Sequence, residues 1–195
     1  FDQFFVSATF NQPVYFVATE DIFSLGFLSK ALKWLVAPIP IKKQTADMAA
    51  VMNCLRVARE GGTIAMAPEG NRTYTGRTEY MNPAVAPLAR KLGLPIALYR
   101  IEGGYGVQPR WASNRRRGEM RAYVSEVITP EEMGALSDDA LISRIRDGLF
   151  VDDRTKRGTY RHKKKAEFLE RALYVCPFCG LSRFHSHSDL FRCAA

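Results

Sequence analysis

The sequence predicts an α/β fold in which a mixed, largely parallel sheet is flanked by helices, followed by a small cysteine-containing module. Short apolar runs typical of buried strands alternate with stretches whose apolar residues recur at helical spacing. Three of the four cysteines lie within residues 176–193, after this alternation has ended. With 195 residues and 47% hydrophobic content, the chain suits one main domain and a small appendage.

The first half of the chain is predicted to contain three helices and three short strands. Thr45 is expected to cap the third helix, in which Met48, Val51, Met52 and Leu55 recur at helical spacing. Gly61, followed by a second glycine, is expected to end that helix. The predicted elements are a helix at 4–10, a strand at 14–17, a helix at 20–36, an extended run at 38–41, a helix at 45–59 and a strand at 63–66.

The most apolar stretch, residues 22–41, is interrupted by Ser24, Ser29, Lys30 and Lys33. It therefore falls short of the roughly 20 apolar residues that a membrane span requires. The pattern fits an amphipathic helix that leads into a strand. Such a helix packs against a core or lies at a membrane interface, and both interpretations stay open.

The second half of the chain continues the alternation and then changes character. A helix is expected to begin at Asn82-Pro83 and to end at Gly93, with proline near its start and glycine after its end. Later predicted elements are strands at 95–101 and 121–128, a helical region at 130–150 and a charged, turn-rich stretch at 152–165.

Charge separates the end of the chain from the rest. We predict a main domain at 1–150, a basic linker at 151–171 and a small module at 172–195. Residues 154–195 carry ten Lys and Arg against three Asp and Glu, whereas residues 1–153 carry 18 against 17. A basic tail of this kind can meet anionic lipid, nucleic acid or only water.

The most specific local signal is the segment 67–73, which reads Ala-Pro-Glu-Gly-Asn-Arg-Thr and directly follows a predicted strand. Ligands collect at the carboxyl ends of strands in open α/β sheets. Gly70 lets the backbone turn tightly, Arg72 offers a planar fork suited to phosphate, and Thr73 adds a hydroxyl. Glu69 can orient Arg72 or accept a substrate hydroxyl. Read alone, the segment equally fits a strand-to-loop turn with one surface ion pair.

Residues 68–73 resemble the Pro-Glu-Gly-Thr-Arg-Ser block of the 1-acyl-glycerol-3-phosphate acyltransferase family. Three further segments resemble family blocks in order and spacing: 13–18, the strand after the catalytic motif; 39–43, the second block; and 93–96, the fourth. The resemblance covers residues 1–128. The chain departs from the family pattern at Asn71, where Thr is usual, at Thr73, where Ser is usual, and at Lys43, where Arg is common.

The family's first block is Asn-His, four residues and then Asp, and Asp2 fits its last position. The matching His would lie five residues earlier, before Phe1, and we expect both ends of the chain to be cut because it opens and closes in mid-pattern. The resemblance implies that this His is the general base on an acceptor hydroxyl and that Asp2 orients it. It also implies that the 195 residues alone are inactive. Without the resemblance, Asp2 reads as a helix N-cap or a disordered end.

The resemblance implies an acyltransferase that moves a fatty acyl group from acyl-CoA or acyl carrier protein to lysophosphatidate or a related glycerophospholipid acceptor, in phospholipid biosynthesis. It implies no cofactor for catalysis. It also implies a membrane surface as partner and a place at the cytoplasmic face of a membrane, peripheral or anchored by a segment outside this chain. The residues expected to bind the acceptor's glycerol and phosphate are Lys43, Glu69, Gly70, Asn71, Arg72 and Thr73.

Cys176 and Cys179, separated by two residues, predict the knuckle of a zinc-ribbon-like module, with Cys193 as a third metal ligand. A four-thiolate zinc ribbon would place its last cysteine just beyond the final residue of the chain. His185 or His187 is the alternative fourth ligand. The competing interpretation is a redox Cys-x-x-Cys pair, whose thioredoxin-like context is missing here. Structural zinc and a reducing compartment are therefore expected.

A second class of function is a non-catalytic zinc-ribbon protein that binds acidic lipid or nucleic acid. Its binding clusters would be residues 115–117 and 163–165, which are runs of Arg and Lys. Trp111 and Tyr160 are the few aromatic residues nearby that could stack on bases, so the sequence does not favour nucleic acid. An Asn-His pair whose His lies five residues before Asp2 would favour the acyltransferase over the binding protein.

Overall fold

The computed structural model describes residues 2–19, 38–41, 47–155 and 158–194. The helix predicted at 20–36 and Thr45 lie outside these ranges. The prediction of Thr45 as a helix cap was wrong, because that helix begins at Met48 and its cap is Asp47, whose carboxylate accepts a hydrogen bond from the Ala50 N–H at 3.1 Å. The chain forms two compact units. The first unit comprises 1–70, 81–98 and 126–147, and the second comprises 71–80, 99–125 and 148–195. The functional boundaries expected at residues 150 and 171 stay predictions, because compactness alone does not test them.

The first unit contains a three-stranded parallel sheet, which confirms the predicted α/β class. Its strands are β1 (Val14–Thr19), β2 (Ile39–Ile41) and β3 (Thr63–Ala65), in the order β2-β1-β3. Thr19 of β1 lies beside Ile41, the last residue of β2. Phe16 of β1 lies beside Ala65, the last residue of β3. The three carboxyl ends therefore lie at one edge of the sheet, the edge where open α/β sheets bind ligands.

Among the described residues, the remaining predicted helices and strands occur in the predicted order, and the structure adds a short helix, Gly104–Val107, and two strands, Phe184–His187 and Leu190–Cys193. Together these elements are α1 (Asp2–Thr9), α2 (Met48–Arg59), α3 (Val85–Leu92), β4 (Ile96–Glu102), α4 (Gly104–Val107), β5 (Arg121–Ile128), α5 (Pro130–Ala135), α6 (Asp138–Leu149), β6 (Phe184–His187) and β7 (Leu190–Cys193). Strand β4 pairs with β5, and β6 forms an antiparallel hairpin with β7. Within the described ranges, no helix has both the length and the hydrophobicity of a membrane span.

Helix α2 buries only part of the apolar set that recurs at helical spacing. Leu55 is buried, whereas Met48 and Met52 are 62% and 54% exposed. Cys54 and Val57 also join a buried cluster with β2. Apolar residues recur at helical spacing on two overlapping faces of this helix, and spacing alone does not show which of them is buried.

The region predicted as helical at 130–150 contains two helices, because capping groups interrupt it. Thr129 and Glu132 form a capping box at the start of α5. The hydroxyl of Ser137 accepts a hydrogen bond from the Ala140 N–H at 3.2 Å at the start of α6. The guanidinium of Arg90, in α3, donates to two carbonyl groups at the end of α5. The break between the two helices is thus stabilised by capping residues next to it and by Arg90 from a helix distant in sequence.

In the second unit, the ring of Tyr160 lies in a space that three glycines leave open. A Cβ atom would meet that ring at 2.1 Å from Gly106, 2.2 Å from Gly118 and 3.0 Å from Gly158. The distances at Gly106 and Gly118 are far shorter than van der Waals contact, so these two positions require glycine while the ring stays in place, whereas the contact at Gly158 is only tight.

Gly106→Ala is therefore expected to lower the free energy of unfolding by roughly 1–3 kcal/mol, since its methyl group collides with the Tyr160 ring. Chemical denaturation of both proteins measures the difference. The matched control is Gly134→Ala in α5, where a Cβ meets nothing within 4 Å. That control should be neutral or slightly stabilising, because alanine favours a helix more than glycine does. Equal stability of Gly106→Ala and the parent would contradict the contact.

Candidate functional site

The turn that follows β3 belongs to the first unit and contains Glu69 and Gly70. The Gly70 N–H donates to the Ala67 carbonyl at 3.1 Å and closes the turn. The Asn82 N–H donates to the Pro68 carbonyl at 3.0 Å, which ties the turn to the residues before α3. Gly70 has a φ of +67°, a conformation that glycine adopts readily, and a Cβ there would meet nothing within 4 Å. The backbone at Gly70 is therefore open to close approach.

The next three residues, 71–73, belong to the second unit, where backbone contacts hold Arg72. Nη2 of Arg72 donates to the Gln108 carbonyl at 2.5 Å. Nη1 of Arg110 donates to the Arg72 carbonyl at 2.6 Å, and its guanidinium lies 4.2 Å from the centre of the Tyr74 ring. A guanidinium carries five N–H donors, so one carbonyl contact orients it without using up its capacity for an anion.

Asn71 and Thr73 differ in their surroundings. Asn71 is exposed. The Thr73 hydroxyl accepts a hydrogen bond from the Thr75 N–H at 3.1 Å and lies 3.1 Å from the Thr75 hydroxyl. The Thr75 hydroxyl in turn donates to the Glu79 carboxylate at 2.6 Å. Thr73 therefore helps to shape its own turn, and its role toward a ligand stays a prediction.

Asp2 is exposed in the first turn of α1. Helix α1 contacts β1, which follows it in the chain. The linker between them reaches the start of β3, where the Thr63 hydroxyl donates to Oε1 of Gln12 at 3.3 Å. Lys43, the remaining residue predicted for substrate binding, lies outside the described residues.

Three cysteines meet in the second unit as predicted. The sulfur atoms of Cys176, Cys179 and Cys193 all lie within 4.8 Å of one another. Hydrogen bonds from the backbone N–H groups of Cys179 and Phe178 lower the pKa of the Cys176 thiol to about 7. Gly180, with a φ of +71°, donates its N–H to the Cys176 carbonyl at 2.9 Å and closes the knuckle. Because thiolates are the form that binds metal, the cluster fits a metal ion.

The two histidines of β6 do not complete this cluster. Phe184 pairs with Cys193 across the hairpin, and the Phe184 and Phe191 rings are stacked with their centres 4.8 Å apart. Side chains alternate between the two faces of a strand. His185 and His187 therefore lie on the face opposite Cys193, and among the residues that the structure describes neither joins the three cysteines. The alternative fourth ligand is not supported.

Comparison with known proteins gives three findings. A family model described as "Acyltransferase" matches residues 1–101. The chloroplastic 1-acyl-sn-glycerol-3-phosphate acyltransferase BAT2 of Brassica napus is 20% identical over 133 residues, which are 67% of this chain and 38% of the plant protein. The crystal structure of the 1-acyl-sn-glycerophosphate (LPA) acyltransferase PlsC from Thermotoga maritima matches with a TM-score of 0.57 and 19% identity.

The structural match covers 73% of this chain and 55% of the bacterial protein. At this level of identity it establishes a similar fold and no more. The chain spans about two fifths of the plant relative and a little over half of the bacterial one.

Proposed function

Because the chain belongs to the acyltransferase family, we propose that it moves a fatty acyl group from acyl-CoA or acyl carrier protein to the hydroxyl of lysophosphatidate or a related glycerophospholipid. The observation that carries this proposal is the family match over residues 1–101. That range includes Asp2, the parallel sheet and the loop at 67–73 in one continuous run. The activities for which the plant and bacterial relatives are named support a lysophosphatidate-type acceptor.

The topology of the first unit supports a site at the carboxyl edge of the parallel sheet. Gln12 contacts the first residue of β3, so the linker from α1 to β1 lies at the opposite, amino edge. Helix α1 contacts β1 and is joined to it by a short linker, so the two run in opposite directions. Eight helical residues span about 12 Å. The direction of α1 therefore supports a position for Asp2 toward the edge where Glu69 and Gly70 follow β3.

The proposed base is a histidine five positions before Asp2. It takes the proton of the acceptor hydroxyl, whose oxygen then attacks the thioester carbonyl carbon. The carbon–sulfur bond breaks, and the leaving sulfur receives the proton back from the imidazolium. Asp2 accepts a hydrogen bond from the imidazole, which fixes its tautomer and steadies the charge that forms. Direct attack on the thioester requires no acyl-enzyme.

The proposed phosphate contacts come from Lys43 and Arg72. A guanidinium can bind two phosphate oxygens at once, whereas a lysine ammonium acts as a point charge. Gln108 holds Arg72 from its own unit, which supports a preorganised contact. Glu69 and Gly70 are proposed to meet the glycerol, since the turn has room at Gly70 for close approach. Asn71 and Thr73 would add hydrogen bonds.

The test is transfer of a labelled acyl group from acyl-CoA to lysophosphatidate, by a chain that carries the proposed upstream histidine. The same protein with that histidine changed to alanine is the control. Transfer that disappears in the control establishes the reaction and its base together. Absence of transfer from the unchanged protein, with lysophosphatidate and other lysophospholipids and with acyl carrier protein as donor, would overturn the proposal.

We also propose that the three-cysteine cluster holds a structural zinc ion. Tetrahedral zinc bound by thiolates is the common structural site for a Cys-x-x-Cys knuckle. Cys176, Cys179 and Cys193 supply three ligands, and the fourth would come from a group outside the described residues. The hairpin of β6 and β7 would be tied to the knuckle through Cys193.

Cys193→Ser is expected to reduce bound zinc from about one ion per chain to almost none, because the tetrahedral site loses one of its thiolate ligands. Metal analysis after gel filtration measures this. The control is Cys54→Ala, which removes a thiol that is buried on α2 and outside the cluster. It should keep its zinc. A Cys193→Ser protein with undiminished zinc would rule out the proposed ligand set.

A further inference from the structure

The two basic clusters predicted from the sequence meet in the second unit. The Arg117 N–H donates to the Arg161 carbonyl at 2.9 Å, and the Arg161 N–H donates to the Arg117 carbonyl at 2.7 Å. Nη2 of Arg116 donates to the Lys165 carbonyl at 2.9 Å. These contacts fix residues 115–117 beside residues 161–165, although about 45 positions separate them in the sequence.

Together these residues form one positively charged surface, which we call the basic surface. Its members are Arg115, Arg117, Arg161, Lys163, Lys164 and Lys165, and all are exposed. Lys164 is paired with Glu167 at 3.0 Å. Residues 154–195 contain only two further acidic residues, Glu170 and Asp189. Glu119 lies two positions after Arg117. The six cations outnumber the nearby carboxylates, so the surface keeps a net positive charge.

An exposed group of large apolar side chains follows the basic surface in the chain. We call it the apolar tip: Leu173, Tyr174, Val175, Phe178 and Leu181. Phe178, inside the cysteine knuckle, is 97% exposed, and Tyr174 is 72% exposed. Five exposed large apolar side chains within nine residues of sequence are more than a soluble surface usually carries, and they indicate an interaction site. Because the knuckle is closed by its own backbone hydrogen bonds, its tip does not need these side chains for packing.

We propose that the basic surface and the apolar tip dock the second unit on an anionic lipid bilayer. Lysine and arginine side chains are attracted to acidic headgroups, while aromatic and aliphatic side chains enter the interfacial region. The positive charge of the basic surface suits the acidic headgroups, and the exposed Phe178 ring suits the interfacial region. This docking stands on the second unit alone and does not depend on the acyl transfer proposed for the family domain.

Nucleic acid is the competing partner. Trp111 is 7% exposed, and the Arg116 guanidinium lies 5.1 Å from the centre of its ring. Gly106 and Gly118 enclose the ring of Tyr160. Neither of these two rings is available to stack on bases, which is how proteins commonly hold single strands. A single strand would therefore have to stack on the exposed rings of the apolar tip, and the tests include an oligonucleotide for this reason.

The first test is co-sedimentation of the chain with vesicles of phosphatidylcholine, with and without phosphatidylserine. Binding should require phosphatidylserine and weaken as salt rises. Replacing Arg117, Lys163 and Lys165 with glutamine should weaken binding by about fivefold per charge, or roughly 100-fold in all. The matched control replaces three exposed cations of the first unit, Arg59→Gln, Lys91→Gln and Arg146→Gln, and should lose far less. Equal losses would overturn a defined docking surface.

The second test removes the apolar contribution. Phe178→Ala should weaken vesicle binding by about tenfold, because an inserted phenyl ring leaves water on docking. Its 97% exposure means that folding should not change, which circular dichroism checks. Phe4→Ala, at a position that is 78% exposed in the first unit, is the matched control and should bind as the parent does. Unchanged binding by Phe178→Ala, or a chain that binds a single-stranded oligonucleotide but no vesicles, would overturn the proposal.

Discussion

Asp2→Asn is expected to lower kcat/KM for acyl transfer by roughly 10³–10⁴-fold, in a chain that carries the proposed upstream histidine. An asparagine side chain can still form a hydrogen bond, but it does not hold the imidazole in the required tautomer or steady the imidazolium. Because Asp2 is proposed to act through the histidine rather than on the phosphate, the loss should fall on kcat, with little change in KM for lysophosphatidate. Initial rates over a range of acceptor concentrations separate the two constants.

The matched control is Asp139→Asn. Asp139, like Asp2, is exposed in the first turn of a helix, so both substitutions remove a similar favourable interaction with a helix N-terminus. The control should keep full activity and a similar stability. If Asp2→Asn also kept most of its activity, Asp2 would be ruled out as the partner of the base, while the family assignment would remain.

Helix and strand ends were predictable where neighbouring residues set them. Gly93 ends α3 in a left-handed conformation with a φ of +64°, as its place after the last apolar position predicts. Strand β5 has the predicted bounds. The start of α6 was predictable from Ser137 and the two aspartates that follow it, which together are a capping signal. The distant contact from Arg90 to the end of α5 has no such signal.

The site was predictable to the extent that it is contiguous in sequence. The turn at Gly70 and the convergence of Cys176, Cys179 and Cys193 follow from spacing, and the structure confirms both. Gln108, which holds Arg72 from 36 residues away, carries no motif and was not predicted. The sequence also offered His185 and His187 as ligands, and strand register was needed to place them on the wrong face.

Arg72→Ala is expected to lower kcat/KM for a phosphate-bearing acceptor by about 1.5–3 kcal/mol, or roughly 10- to 150-fold, through the loss of a charge-assisted contact. The loss should come mainly from a higher KM, because the phosphate is bound equally in the ground state and the transition state. Arg72→Lys should lose less, since it keeps the charge, but it should not match the parent, because an ammonium lacks the planar fork. Rates with lysophosphatidate measure both variants.

Two comparisons distinguish a phosphate contact from a structural role of Arg72. With monoacylglycerol, which lacks the phosphate, Arg72→Ala and the parent should react at the same low rate. Arg56→Ala removes an exposed arginine of α2 that is bonded to Asn53, and it should leave transfer to both acceptors unchanged. Arg72→Ala also loses the hydrogen bond to Gln108, so the thermal unfolding of the variant must be measured together with its rates. Equal losses with both acceptors would show that Arg72 shapes the loop rather than binding the phosphate.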